Sequence, residues 1–169
     1  MSNKPFSKRI VICGSMSSFA LMKSINEDLL TNNVNSIIPD EELDIHQNLN
    51  PENFEEFKRL VSFRYLRKIK DLRTYAVLAI NPEKHKIVNY IGPNTFAEIA
   101  IAFAHSKKIF ILNGFPEIYE EELSSWGAIP LKGDIQKLIN EYLLSKSKDE
   151  LQLNLFSLHE FENSINVKL

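Results

Sequence analysis

One carboxylate lies inside an otherwise apolar stretch of this 169-residue chain. From Ala97 to Ala104 every residue except Glu98 is apolar. A helix that is apolar on nearly all faces is normally buried, and a carboxylate within it is costly unless another group pairs with it or a site uses it. Two explanations are open. Thr95-x-x-Glu98 fits a capping box, with Thr95 as the N-cap, or Glu98 works at a functional site.

A second group of polar residues follows the first predicted strand, in the segment CGSMSS. Its small and polar residues, Gly14, Ser15, Ser17 and Ser18, lie between a strand and the start of a helix. Exposed backbone N–H groups and the helix dipole favour an anion at such a point. With a single glycine, the segment matches neither a Walker A loop nor a dinucleotide-binding loop. The alternative is that Ser17 or Ser18 only caps the helix.

The elements that must position these residues alternate between strand and helix. Strands are predicted at RIVICGS, VNSIIP, TYAVLAIN, KIFILN and GAIPLK, with helices between them and after the last. This alternation indicates a parallel sheet covered on both faces. We therefore predict an α/β protein with a three-layer flavodoxin-like or Rossmann-like fold and about five mostly parallel strands.

Ligands of such sheets bind beyond the carboxyl ends of the strands. This rule selects the segments that follow the first three strands, CGSMSS, IPDEELD and NPEKHKIVNYIGPNT. Turns after neighbouring strands would share one mouth, with hydroxyl donors on one wall and the Glu98 carboxylate on the other.

Two regions are predicted along the chain. Residues 1–145 form one domain, and residues 146–169 are a polar tail with isolated Leu and Phe residues. We expect the tail either to be partly ordered or to dock on a partner subunit. The basic stretch KRLVSFRYLRKIK is interpreted as the solvated face of a helix, with a nucleic-acid patch as the alternative.

Composition excludes several functions. The net charge of -2 and the pI near 6.1 argue against a dedicated nucleic-acid binder. No apolar run is long enough to span a bilayer, and the N-terminal apolar run is too short for a signal peptide. With one cysteine, Cys13, the chain forms no internal disulfide, which fits a cytoplasmic location. The four histidines are scattered, so we predict neither a metal nor another cofactor.

The GSM turn, the helix start GPNTFAE and the following KKIFIL together resemble the nucleoside 2-deoxyribosyltransferase superfamily, which includes deoxynucleoside 5′-monophosphate N-glycosidases. The resemblance covers roughly residues 9–115 and is clearest at the first two motifs. It implies that Glu98 is the nucleophile that attacks C1′ of a deoxyribose. It also implies that the turn after the first strand faces the sugar or its 5′-phosphate, with Gly14, Ser15, Met16 and Ser18 as candidate binding residues.

Four further candidates belong to the second motif and the loop before it. Thr95 matches the family pattern, whereas Asn94 stands where a glycine is common. Gly92 stands where transferases often carry an aspartate and the monophosphate hydrolases a serine. Tyr90 either contacts a base or only packs within the protein. For the acid that protonates the leaving base, Asp40 and Asp44 are candidates by their location after the second strand.

The sequence therefore predicts an enzyme that cleaves, or transfers a group at, the N-glycosidic bond of a (deoxy)nucleoside or nucleoside 5′-monophosphate. The alternatives are a nucleotide- or sugar-phosphate-binding module without turnover, and a structural domain in which Glu98 is only a cap. The expected partners are this small molecule and further copies of the same chain. A homodimer or higher homo-oligomer is expected because the family completes its pocket from a neighbouring subunit.

Overall fold

A single parallel sheet forms the centre of the computed structural model, which describes residues 7–40 and 51–166. Its five strands in this described part are β1 (Arg9–Gly14), β2 (Ser36–Ile37), β3 (Thr74–Ile80), β4 (Lys108–Ile111) and β5 (Ile129–Pro130). They lie in the order β2-β1-β3-β4-β5, and each neighbouring pair is parallel. The prediction of an α/β fold with about five mostly parallel strands is confirmed.

Helices cover both faces of this sheet. They are α1 (Phe19–Thr31), α2 (Pro51–Lys70), α3 (Pro93–Ala104), α4 (Glu120–Ser125) and α5 (Ile135–Asn166). Short 3-10 turns, Met16–Ser18 and Glu117–Tyr119, precede α1 and α4. Buried residues of α1 and α5 pack on one face, and those of α2, α3 and α4 pack on the other. The result is three layers.

β3 is the strand that both helical layers bury. Ala76, Leu78 and Ile80 pack against the α1 and α5 layer, while Val77 and Ala79 pack against the layer of α2 and α3. Strands covered on both faces show continuous rather than alternating apolar residues, which explains the run TYAVLAI.

The order in which strands are added to the sheet reverses between β1 and β3, although all strands run parallel. From β1 the chain passes to β2 on one side, whereas β3, β4 and β5 follow on the other side. The crevice beyond the carboxyl ends of β1 and β3 is where such folds bind ligands. Here Gly14 pairs with Ile80, and a Cβ atom at position 14 would lie 3.2 Å from the Ile80 carbonyl oxygen. A glycine thus allows the two strand ends to approach closely.

The predicted polar tail continues α5 without a break as far as Asn166. Lys8 Nζ donates to Ser145 Oγ at 2.7 Å and lies 2.6 Å from Asp149 Oδ2, so the first residues of the tail contact the domain itself. Docking of the tail on a partner subunit stays a prediction. In the part of the chain that the structure describes, no helix combines the length and apolarity needed to cross a membrane.

Candidate active site

A cavity of about 420 Å³ opens at the carboxyl ends of β1 and β3. It brings together most of the residues that the sequence predicts for the site: Gly14, Ser15, Met16, Asp40, Tyr90, Gly92, Asn94, Thr95 and Glu98. Ser18 is not among the residues that line it. Asp44 falls outside the described residues. The turn after β1 and the start of α3 therefore share one mouth, as expected from strands that end at the same edge.

The capping-box explanation of Glu98 is wrong. α3 begins at Pro93, and its N-cap is Gly92, three residues before the predicted N-cap Thr95, without a side-chain cap hydrogen bond. Proline is favoured at the first helical position because its fixed φ suits the helix and no N–H is needed there. Thr95 is consequently a buried residue of the first turn, and Glu98 lies in the second turn with its side chain at the cavity.

The environment of Glu98 favours its protonated form. Burial raises the pKa of this carboxyl from 4.5 to about 7, while a hydrogen bond from the Cys13 thiol lowers it. Of these two effects on the pKa of Glu98, desolvation is the larger. A carboxyl with a pKa near neutrality in a cavity is typical of functional sites.

Two buried residues flank Glu98 from neighbouring elements. Cys13, near the end of β1, is fully buried. Its contact with Glu98 has no signal in the sequence, since it depends on how α3 packs on the sheet. Tyr65 of α2 donates its hydroxyl hydrogen bond to the Ile12 carbonyl and lines the cavity. Burial, reinforced by the nearby Cys13 and Glu98, raises the pKa of Tyr65.

The serine-rich turn after β1 does not cap α1 through its side chains. Ser18 occupies the N-cap position, but its hydroxyl makes no cap hydrogen bond. Ser15 Oγ and Ser17 Oγ are instead 2.9 Å apart, and Lys84 Nζ donates to Ser15 Oγ at 2.9 Å. The turn therefore offers the Ser15 hydroxyl to the cavity, together with Lys84, which the sequence did not predict for the site.

The position of Tyr90 explains the glycine at position 92. A Cβ atom at Gly92 would lie 3.3 Å from the Tyr90 hydroxyl oxygen, so the phenol occupies the space that a side chain at this position would fill. Both residues line the cavity. The Tyr90 hydroxyl therefore lies where a side chain at position 92 would extend.

One wall of the cavity is α2, which the sequence analysis interpreted as a mainly solvated basic helix. Lys58 and Arg64 are exposed, as a solvated face requires, and they line the cavity together with the half-buried Lys68. The same wall carries an apolar and aromatic stripe, Phe54, Phe57, Val61 and Tyr65. Its three- and four-residue spacing is that of one helix face and was the available signal.

Asp40 is the one candidate acid within the described residues. Its carboxylate lies at the cavity, 3.4 Å from Lys68 Nζ, and is 61% exposed. Nothing in this geometry singles it out as a proton donor, and its role stays a prediction. Across residues 7–40 and 51–166, no three His, Cys, Asp or Glu side chains group in a way that could hold a metal ion.

Comparisons with protein-family profiles, curated proteins and solved structures find no match to this chain. The fold and the cavity define an α/β protein with a carboxyl group of raised pKa at the reversal point of a parallel sheet.

Proposed function

We propose that this protein cleaves the N-glycosidic bond of a (deoxy)nucleoside or nucleoside 5′-monophosphate, or transfers the sugar to a second base, with Glu98 as the nucleophile. The observation that carries this proposal is that the Glu98 side chain lines the cavity rather than capping its own helix. The resemblance of the GSM turn and the NTFAE helix start to deoxyribosyltransferases supports it.

The proposed reaction has two steps. A Glu98 carboxylate oxygen attacks C1′ through an oxocarbenium-like transition state, and the C1′–N bond breaks. Its electron pair leaves with the base, which takes up a proton. In the second step, water or a nitrogen of another base attacks C1′, and the ester bond to Glu98 breaks with its electron pair returning to the carboxylate. The attacking group loses a proton. Water gives hydrolysis, and a base gives transfer.

The surroundings of Glu98 suit this chemistry. Only the ionised carboxylate attacks, and a pKa of about 7 leaves a substantial ionised fraction at neutral pH. The poorly solvated anion is more reactive than one in water. The Cys13 thiol, which hydrogen-bonds the carboxyl, stabilises the charged form and fixes its orientation. In this proposal Asp40 is the candidate donor of the proton to the leaving base.

The test is to incubate the protein with the common deoxynucleosides, their ribose counterparts and the 5′-monophosphates of both, with and without an acceptor base. Free base and new nucleoside are measured by chromatography. We expect base release from at least one compound, which the acceptor converts partly to a new nucleoside if the activity is transfer. Absence of both products from every compound and its ribose counterpart would overturn the proposal.

The second candidate is a nucleotide- or sugar-phosphate-binding module without turnover. The observation that favours it is the set of cationic side chains around the cavity, which would hold an anion whether or not the bond is broken. Binding of a monophosphate without release of base under all conditions would support this candidate instead. For either function we propose a cytoplasmic homo-oligomer.

A further inference from the structure

Lys84 occupies an unusual position for a loop lysine. It is partly buried, lines the cavity, and donates from Nζ to Ser15 Oγ at 2.9 Å. The same ammonium lies 5.6 Å from the centre of the Tyr90 ring, within the range of a cation–π contact. Lysine side chains normally extend into water, so a protein that holds one at a cavity wall places a positive charge there.

A tight hairpin presents this lysine. The backbone N–H of Lys84 donates to the Ile87 carbonyl at 3.1 Å, and that of Ile87 returns a bond to Lys84 at 2.9 Å. The two residues between them, His85 and Lys86, both have positive φ, at 54° and 63°, as in a type I′ turn. This two-residue turn sets the direction in which position 84 points.

The base of the loop is fixed by a buried asparagine. Asn81 Nδ2 donates to the carbonyls of Gly114 at 2.8 Å and Asn89 at 3.3 Å, and its Oδ1 accepts from the Asn113 N–H at 3.0 Å. Asn81 is fully buried, so each of these hydrogen bonds replaces one that its amide group would make to water in the unfolded chain. The hairpin therefore stands on a rigid support at the end of β3.

The described part of the cavity wall carries more positive than negative side chains. Among the described residues, four cationic side chains line it, Lys58, Arg64, Lys68 and Lys84, against two carboxyl groups, Asp40 and Glu98. The chain itself carries a net charge of -2, so this excess of positive charge is local. Its volume of about 420 Å³ falls in the range of pockets that bind small molecules.

We propose that Lys84 is a specificity-determining residue that binds the phosphate group of a phosphorylated ligand together with Ser15, so that the protein selects nucleoside 5′-monophosphates over nucleosides. A phosphate monoester carries about -1.5 to -2 charges at neutral pH and several acceptor oxygens. An ammonium beside a serine hydroxyl offers both charge and hydrogen bonds to it. The inference names the substrate class of the site and rests on the proposed function.

The test compares Lys84→Met with Lys86→Met, each in the Glu98→Gln chain, so that no turnover disturbs binding. Lys86 lies on the same hairpin but is exposed and does not line the cavity. Calorimetry measures Kd for deoxynucleoside 5′-monophosphates and for their parent deoxynucleosides. We expect Lys84→Met to weaken binding of monophosphates by about 10-fold or more, the effect of one charged hydrogen bond, with parent nucleosides within about 2-fold. Lys86→Met should change neither.

Failure of this inference and failure of the proposed function give different results. If monophosphates bind more tightly than nucleosides and this difference depends on Lys84, but the unmutated chain releases no base, the role of Lys84 is supported and the proposed enzyme activity is overturned. If deoxynucleosides release base as fast as monophosphates, and Lys84→Met changes neither rate, the phosphate-binding role of Lys84 is overturned and the proposed enzyme activity stands. An equal loss of nucleoside and monophosphate binding in Lys84→Met would also overturn it.

Discussion

At the scale of single residues, Glu98 carries the proposed chemistry, and Glu98→Gln tests it. The amide keeps the shape of the side chain but cannot form the glycosyl ester, so we expect base release to fall by roughly 100-fold or more. Glu83→Gln is a suitable control, because Glu83 is an exposed loop residue outside the cavity lining. Undiminished turnover by Glu98→Gln would remove Glu98 from the mechanism.

The same substitution should stabilise the fold at high pH. The folded-state pKa of Glu98 is about 7 against an ordinary 4.5, so stability falls as pH rises between these values, when only the unfolded chain releases the proton. Glu98→Gln removes this cost. We expect its free energy of unfolding to exceed that of the unmutated protein above pH 7 by at most about 3 kcal/mol, and the difference to diminish towards pH 4.5. Denaturant unfolding at several pH values measures it, and a gain at pH 4.5 as large as at pH 8 would contradict this assignment.

The pH dependence of the reaction should report the same group. Because the nucleophile must be ionised, kcat/KM should rise with pH to a plateau, and the midpoint of this rise should lie near pH 7. A deoxynucleoside is the better substrate for this measurement, since a 5′-phosphate titrates near pH 6 itself. Cys13→Ala removes the thiol that favours the charged form, and the midpoint should move to higher pH. A midpoint near 4.5, or one that Cys13→Ala leaves in place, would contradict this account.

At the scale of secondary-structure elements, α2 forms one wall of the cavity, and we expect the base of the proposed nucleoside substrate to lie against it. Phe57 lines the cavity, whereas Phe63 on the same helix is 57% exposed and outside the lining. Phe57→Ala should weaken substrate binding by roughly 3- to 10-fold through lost contact with a planar base. Phe63→Ala is the matched control and should leave Kd unchanged. Calorimetry and thermal unfolding of both variants separate binding from stability, and equal Kd values for the two would argue against an α2 base site.

The elements also explain how far the sequence could lead. Continuous apolar strands such as TYAVLAI, alternating with helices, were sufficient to predict the sheet and the edge at which the cavity lies. The capping box failed because Pro93 starts α3 earlier, a local signal that outweighs Thr95. The contacts of Cys13 with Glu98, and of Lys84 with Ser15, join residues far apart in the chain. They depend on packing between elements, which no local pattern encodes.

At the scale of the whole molecule, the layer of α2, α3 and α4 leaves aromatic surface exposed. Phe103 of α3 is 46% exposed, and it stacks on Trp126 with ring centres 5.1 Å apart. Phe63 lies on the same side of the sheet and is 57% exposed. Exposed aromatic surface of this kind is often covered in an assembly. It supports the homo-oligomer that the family resemblance implies.

The last prediction is therefore the size of the particle in solution. Light scattering on the full chain should give at least twice the chain mass of 19.5 kDa at micromolar concentration. The physical reason is that association would remove the exposed rings of α2 and α3 from water, which is favourable in proportion to the apolar area covered. Dilution should shift the mass towards the monomer if association is reversible, and base release measured across the same dilution would show whether a neighbouring subunit completes the cavity. A mass of 19.5 kDa at every micromolar concentration would contradict the oligomer, and the cavity would then have to function within a single chain.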